Sequence, residues 1–271
     1  MSSDQLITNI RKKRISDLLI QDKRLDGREL MEYRKVQVEV GLIDKAAGSA
    51  LVSLGNTKVL AGIKIETGSP FPDTPDEGVQ IVNVELVPLA SPSFEPGPPR
   101  EKSIELARVV DRGIRESKAI DTSKLCIVSG KQVFLVFIDI YVLDHDGNLF
   151  DASALASIAA LLNATMKDYT VNKKGELKYK DSTVKLPIQN YPVEVTIVKI
   201  DGKLMVDPSL DEELAADTQM TIAIDKDDNI CAIQKSKPGT FSFDEVLEVY
   251  RLAKIKAKEI RDEVLRGIID A

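Results

Sequence analysis

Five carboxylates crowd into the fourteen residues DPSLDEELAADTQM (207–220), directly after the apolar run KLMV. Acids gathered where a strand ends are the raw material of divalent-metal sites and of proton transfer. Two positions inside the stretch, Glu213 and Gln219, decide what it can do. Elsewhere the chemistry is narrow. His145 is the only histidine, so Ser-His-Asp and Cys-His catalysis have one candidate base and histidine-rich metal sites have none. It stands in LDHDGN, a turn after an apolar run, where a histidine without a chemical role is the plainer reading.

A second constellation is basic. EKSIELARVVDRGIRE reads as a helix from about Glu101 to Ala119, with Arg108, Arg112 and Arg115 at i, i+4 and i+7. At 100° per residue they fall within about 60° of one another. Leu106, Ala107, Val109, Val110 and Ile114 take the opposite side, Ile104 breaks the pattern, and Lys102 adds a charge nearer the N-terminus. Guanidinium groups roughly 6 Å apart match the phosphates of an extended nucleic-acid strand. Glu105, Asp111 and Glu116 lie three or four residues from these arginines, so spacing alone equally fits a salt-bridged, solvated face.

The elements that must position these residues alternate between short strands and helices. DQLITNIRKKRISDLLIQ (4–21) places Leu6, Ile10, Leu18 and Leu19 at helical spacing, and RLDGRE follows as a turn. SALVSLGNTKVLAGIKIE folds back on itself at Gly55 and Asn56. SPSFEPGPP holds four prolines in nine residues and is an ordered loop. QVFLVFIDIYVLD reads as a central strand, apolar on both faces. DASALASIAALLNATM is a helix with Asp151 as its expected N-cap, and its Ala and Ser positions allow close approach to a neighbour. Residues 168–186 interrupt the pattern as a linker or long hairpin. VEVTIVKIDGKLMV, TIAIDKDDNICAIQ and a helix opening with the capping box SFDE then repeat the grammar. The expected fold is α+β, with two hairpin-plus-helix units.

Taken in order, RLDGRE, FEPGPP, IELARVVDRGIR, VLDHDGNLFDASALAS and VDPSLDEELAADTQM resemble the ribonuclease PH superfamily over about residues 20–260. Within it, FEPGPP, ELARVVDR and DGNLFDA together most resemble the non-catalytic ring subunit of the archaeal exosome. The resemblance implies a ribonuclease PH-like fold divided into an N-terminal helix and turn (1–30), a first unit (31–167), a linker or hairpin (168–189) and a second unit (190–271). It also implies a phosphorolytic setting, in which inorganic phosphate attacks the 3′-terminal phosphodiester of RNA.

Active members of the superfamily carry an arginine after Gly-Thr or Gly-Ser at the turn following the central strand, whereas Gly147-Asn148-Leu149 stands here. They have Asp where this chain has Glu213 and again where it has Gln219, and Arg where it has Lys102. Leu149 offers no donor to an anion, and Gln219 has lost the charge. The resemblance therefore implies no catalytic residues and no cofactor or metal of the chain's own. Its implied partners are a related catalytic subunit in a ring of three heterodimers, RNA-binding cap subunits and single-stranded RNA. Lys102, Arg108, Arg112 and Arg115 are the implied RNA contacts. The competing expectations are an exoribonuclease active on its own and a purely structural ring member.

Composition bounds these readings. A net charge of −6 argues against a basic coat but leaves room for a local basic face. Cys126 and Cys231 are too few and too far apart for a disulfide framework, and read as free thiols in a reducing compartment. With no apolar run near the ~20 residues of a membrane span and no signal-peptide core, the expected location is the cytoplasm.

Overall fold

The computed structural model describes residues 12–172 and 177–270. Residues 12–19 are helical (α1), and Ile15 and Leu19 are buried against Val198, Ile200 and Met205. Leu6 and Ile10, which the sequence also places on this helix, lie outside the described residues. Among the described residues no helix is long and apolar enough to cross a membrane.

The first sheet is built from β1 (Val36–Val40), β2 (Gly48–Leu54), β3 (Thr57–Gly68), β4 (Val79–Leu86), β5 (Cys126–Val128) and β6 (Gln132–Asp144). Its order is β1-β2-β3-β6-β4, with β5 also pairing β6. The β2–β3 hairpin turns at Gly55-Asn56, pairing Leu54 with Thr57. β6 is central, antiparallel to β3 and parallel to β4. It is not buried on both faces, however. Val136, Ile138, Ile140 and Val142 are enclosed, while Leu135, Phe137 and Asp139 are half-buried and Tyr141 is exposed, because no helix among the described residues covers that side. A long apolar run was legible as a central strand but not as a one-sided one.

α2 (Glu101–Glu116) stops short of Ala119 because Lys118 takes a left-handed φ of +53°. α3 (Leu149–Leu162) is enclosed almost all round and touches β2 and β3 on one side and β9 (Val193–Ile200) on the other. Its small side chains permit this. A Cβ on Gly48 would come within 2.4 Å of the Ala160 carbonyl oxygen. β7 (Thr165–Val171) and β8 (Leu177–Lys185) form a separate hairpin.

The second sheet runs β10-β9-β11-β12, with β10 Lys203–Val206, β11 Thr218–Ile224 and β12 Ile230–Ser236. Its β9–β10 turn puts Asp201 and Gly202 at φ +46° and +79°, the geometry that favours Asp-Gly. Between β10 and β11 lies α4 (Leu210–Ala215). α5 (Phe243–Ile260) packs on β9 and β11 through Val249, Ala253, Ala257 and Ile260. Its capping box forms as read, with Ser242 accepting from the Glu245 N–H. A five-residue π turn, Arg261–Leu265, joins it to α6 (Arg266–Ile269).

Helices α2 and α3 thus lie between the two sheets, and α5 covers the far side of the second. α2 sits at the mouth of this sandwich, against edge strands β4 and β12. Leu106, Val109, Val110 and Ile114 turn inward, so the arginine side is left facing out.

Candidate functional site

The acidic stretch folds inward rather than toward a common opening. Asp207 ends β10 with φ +46° and is fully buried. Its two oxygens take a fork from Arg34, with Nε at 2.9 Å and Nη2 at 2.7 Å. The Arg34 N–H (2.8 Å), Arg28 Nη1 (2.9 Å) and the Asn148 side-chain amide (2.7 Å) complete the set. Burial alone would raise this carboxyl, but Arg34, Asn148 and Arg28 together hold it below the ordinary aspartate range. Glu212 is claimed by a second buried fork from Arg24, at 2.9 and 2.5 Å. Its Oε2 also closes the α4 capping box by accepting from the Ser209 N–H at 2.8 Å. Asp217 takes Lys12 at 3.0 Å and the Asp201 N–H.

Glu213 is held by the backbone. The Asn148 N–H, at the N-terminus of α3, donates to its Oε1 at 2.7 Å. The carboxylate therefore occupies the place where a helix start would otherwise receive an anion. Burial pushes it up to about 7, against the opposing pull of that N–H, Lys237 and Arg34. Gln219 is buried on β11 beside Val198 and Ser236. Leu149 opens α3 and packs against the main core. Among the described residues no three His, Cys, Asp or Glu side chains stand close enough to hold a metal.

Asp151 is not the N-cap of α3. Asn148, left-handed at φ +54°, holds that position, and Asp151 lies three residues inside. There it accepts from Tyr33 (2.7 Å), the Asn148 amide (2.8 Å) and both the hydroxyl and the N–H of Thr196. Complete burial raises it to about 6, with the hydrogen bonds from Thr196, Asn148 and Tyr33 working against the rise. The sequence missed this because a capping preference is local, whereas Asp151 is spoken for by β9 and by the segment before β1. It also missed the arginines of residues 24–34. The available signal was a match of charge: three arginines there against the acids that open the 207–220 stretch.

His145 stacks on Phe94, rings 5.3 Å apart and 14° from parallel, and its Nδ1 accepts from the Gly147 N–H. Burial depresses its proton affinity, and the nearby Lys102 adds to the effect. Lys102 itself lines a cleft with the FEPGPP loop, apart from the arginines.

The four basic residues read as one row therefore separate. Arg115 is tied to Asp111 by two bonds of 3.0 and 2.7 Å and donates to the Gln80 carbonyl, so it does not stand free with the others. Arg108 and Arg112 make no ion pair among the described residues. Two of the acids that might have neutralised them are engaged elsewhere. Glu105 accepts from Gln234 and Ser236 on β12, and Asp111 serves Arg115 and Gln80. The salt-bridged alternative holds for Arg115 alone.

Two sheets with helices laid between and behind them make an α+β fold, and its likeness to family and solved structures makes it ribonuclease PH-like. The chain belongs to the 3′ exoribonuclease family, whose domain 1 matches residues 32–167 and domain 2 residues 190–256. It is 53% identical over 269 residues to the exosome complex component Rrp42 of Pyrococcus abyssi, covering 99% of this chain and 98% of that one. Among solved structures it resembles a chain of the Archaeoglobus fulgidus exosome with RNA bound to the active site. That match has a TM-score of 0.88 and 48% identity, covering 95% of this chain and 99% of the other. A chain of an archaeal exosome core matches with a TM-score of 0.85 and 44% identity, covering 97% and 99%.

Proposed function

We propose that this chain is a non-catalytic ring subunit of an archaeal exosome. It holds RNA on Arg108 and Arg112 and shapes the active site of a related catalytic subunit for 3′-to-5′ phosphorolysis. The observation that carries the reading is the sorting of charge. Of the two positions where active members carry Asp, Gln219 has no charge and Glu213 is tied to the Asn148 N–H; Asp207 and Glu212 beside them are buried on arginines, while Arg108 and Arg112 lie on the outer side of α2 without a carboxylate. Phosphorolysis needs a cation and donors for phosphate at the reacting bond. Here Leu149 packs into the core, and Glu213 already fills the α3 N-terminus. The names of the relatives, an exosome complex component and a chain of an exosome with RNA bound, support membership of an exosome and contact with RNA.

The chain purified alone is expected to release no nucleoside diphosphates from RNA with phosphate and magnesium present. Mixed with the related catalytic subunit, it is expected to enter one particle of about six subunits, closed as cyclic assemblies are, that degrades RNA. Phosphate-dependent product from the pure chain would restore the reading of an independent exoribonuclease. A chain that stays monomeric beside that subunit in size-exclusion chromatography would remove the ring.

A further inference from the structure

Glu194 on β9 is fully enclosed, and neither carboxyl oxygen has a hydrogen-bond partner. It lies directly under α2. A Cβ on Gly113 would come within 2.5 Å of its Oε1, so any side chain at 113 would have to displace this carboxyl. Beside it is a cavity of about 10 Å³, near the smallest that holds one water. Arg112 of α2, Thr221 of β11 and Gln234 of β12 line that cavity together with Glu194.

An ionised carboxylate without donors is among the most costly groups to bury. The groups facing Glu194 do not relieve it. From α3 the nearest charge is another acid, Asp151, which disfavours ionisation further. β11 and β12 supply Thr221, Ala223, Ala232 and Gln234, none of which titrates. The one cation lining the cavity is Arg112, which makes no hydrogen bond or ion pair with Glu194.

We infer that Glu194 is a proton-binding site that positions the RNA-facing helix and governs Arg112. With the proton in place the carboxyl is neutral, Gly113 seats on it and Arg112 stays in the outer face. When the proton leaves, the buried negative charge draws Arg112 inward through the shared cavity, and the face loses a cation. By linkage, RNA that holds Arg112 outward favours the protonated form. The RNA half of the inference rests on the function proposed above; the proton half does not.

Burial, and secondarily Asp151, raise the native proton affinity of Glu194 well above the ordinary value of 4.5. Its proton therefore contributes fully to stability below about pH 4.5, and that contribution is lost as pH rises through the higher native value. Within that window the wild-type folding constant should fall up to about tenfold per pH unit faster than that of Glu194→Gln, which stays neutral. The comparison cancels Glu213, which titrates in both proteins, and Asp151, which titrates in both while Glu194 stays protonated. Infrared difference spectroscopy of the full chain near neutral pH should show a protonated-carboxyl band that Glu194→Gln lacks. Glu194→Met serves the same measurements if the amide variant folds poorly. In Arg112→Ala the stability decline should move to higher pH, since the compensating cation is gone.

In the assembled ring, RNA affinity should fall at least about fivefold as pH rises through the same window, and Glu194→Gln should abolish the trend. Parallel stability slopes and an unchanged infrared spectrum would overturn the proton site. A midpoint unmoved by Arg112→Ala would overturn the coupling, whatever the RNA measurements give. If the midpoint moves but RNA affinity ignores both Glu194 and Arg112, the proposed RNA face is what has failed.

Discussion

Asp207→Asn is expected to destabilise the folded chain by about 3–5 kcal/mol, the range for breaking a buried ion pair by removing one partner. Asp207 is fully buried and gathers Arg28 and Arg34 from the segment before β1 and Asn148 from the start of α3. Asparagine matches its size but replaces one acceptor oxygen with an amide NH₂ that only donates, aimed at groups that are all donors. Arg34 would then lose its close buried counter-charge, keeping the Asp146 carboxylate at 3.9 Å and the carbonyl oxygens of Asp146, Gly147 and Pro208, while Arg28 would keep only Asp26 as a counter-charge. The loss should appear in chemical or thermal unfolding near neutral pH. It should also change the acid response. The native Asp207 is held below its ordinary 3.8, so its stabilisation is present above that value and lost as pH falls through the lower native one. The variant should therefore lack that component of acid unfolding. Glu66→Gln, which breaks an exposed pair with Lys64, should leave unfolding where it is. A loss below about 1 kcal/mol in Asp207→Asn would mean that the cluster is not what joins these segments.

That cluster also marks where the sequence stopped being readable. Hairpins, the SFDE cap and the inward side of α2 were legible because they depend on residues a few positions apart. The sequence located the acidic stretch but not its partners. Arg34 and Asp207 are 173 positions apart, and no periodicity records such a pair. Asp151 misled for the same reason: its local preference was to cap α3, and tertiary donors from Tyr33 and Thr196 drew it inside. Glu194 gave no signal at all. In VEVTIVKI it looks like the solvent side of an alternating strand, yet α2 closes over it. The arginine face was half legible. Helical spacing put three arginines together, and only the path of Asp111 and Glu105 separates the two free ones from Arg115.

That separation makes the RNA face testable residue by residue. Replacing Arg108 and Arg112 together by Glu in the assembled ring is expected to weaken RNA binding and slow degradation, although this chain is not the proposed catalyst. Each lost phosphate contact should flatten the slope of log affinity against log salt by roughly 0.7, so about 1.4 for the pair. Arg115→Glu, on the same helix and equally charge-reversing, is the internal control. Its guanidinium is already neutralised by Asp111, so its replacement should leave the salt slope close to wild type. Assembly should survive in both variants, because Arg108 and Arg112 hold no ion pair among the described residues and the opposite side of α2 carries the packing. If all three arginines affect the slope equally, proximity to RNA outweighs local pairing, and the Asp111 contact opens when RNA binds. If the double variant binds like wild type in an intact ring, Arg108 and Arg112 are solvated charges and RNA passes elsewhere. If the ring falls apart, the two arginines belong to the contact between subunits. That outcome would explain their freedom from carboxylates within this chain by a carboxylate supplied from the next.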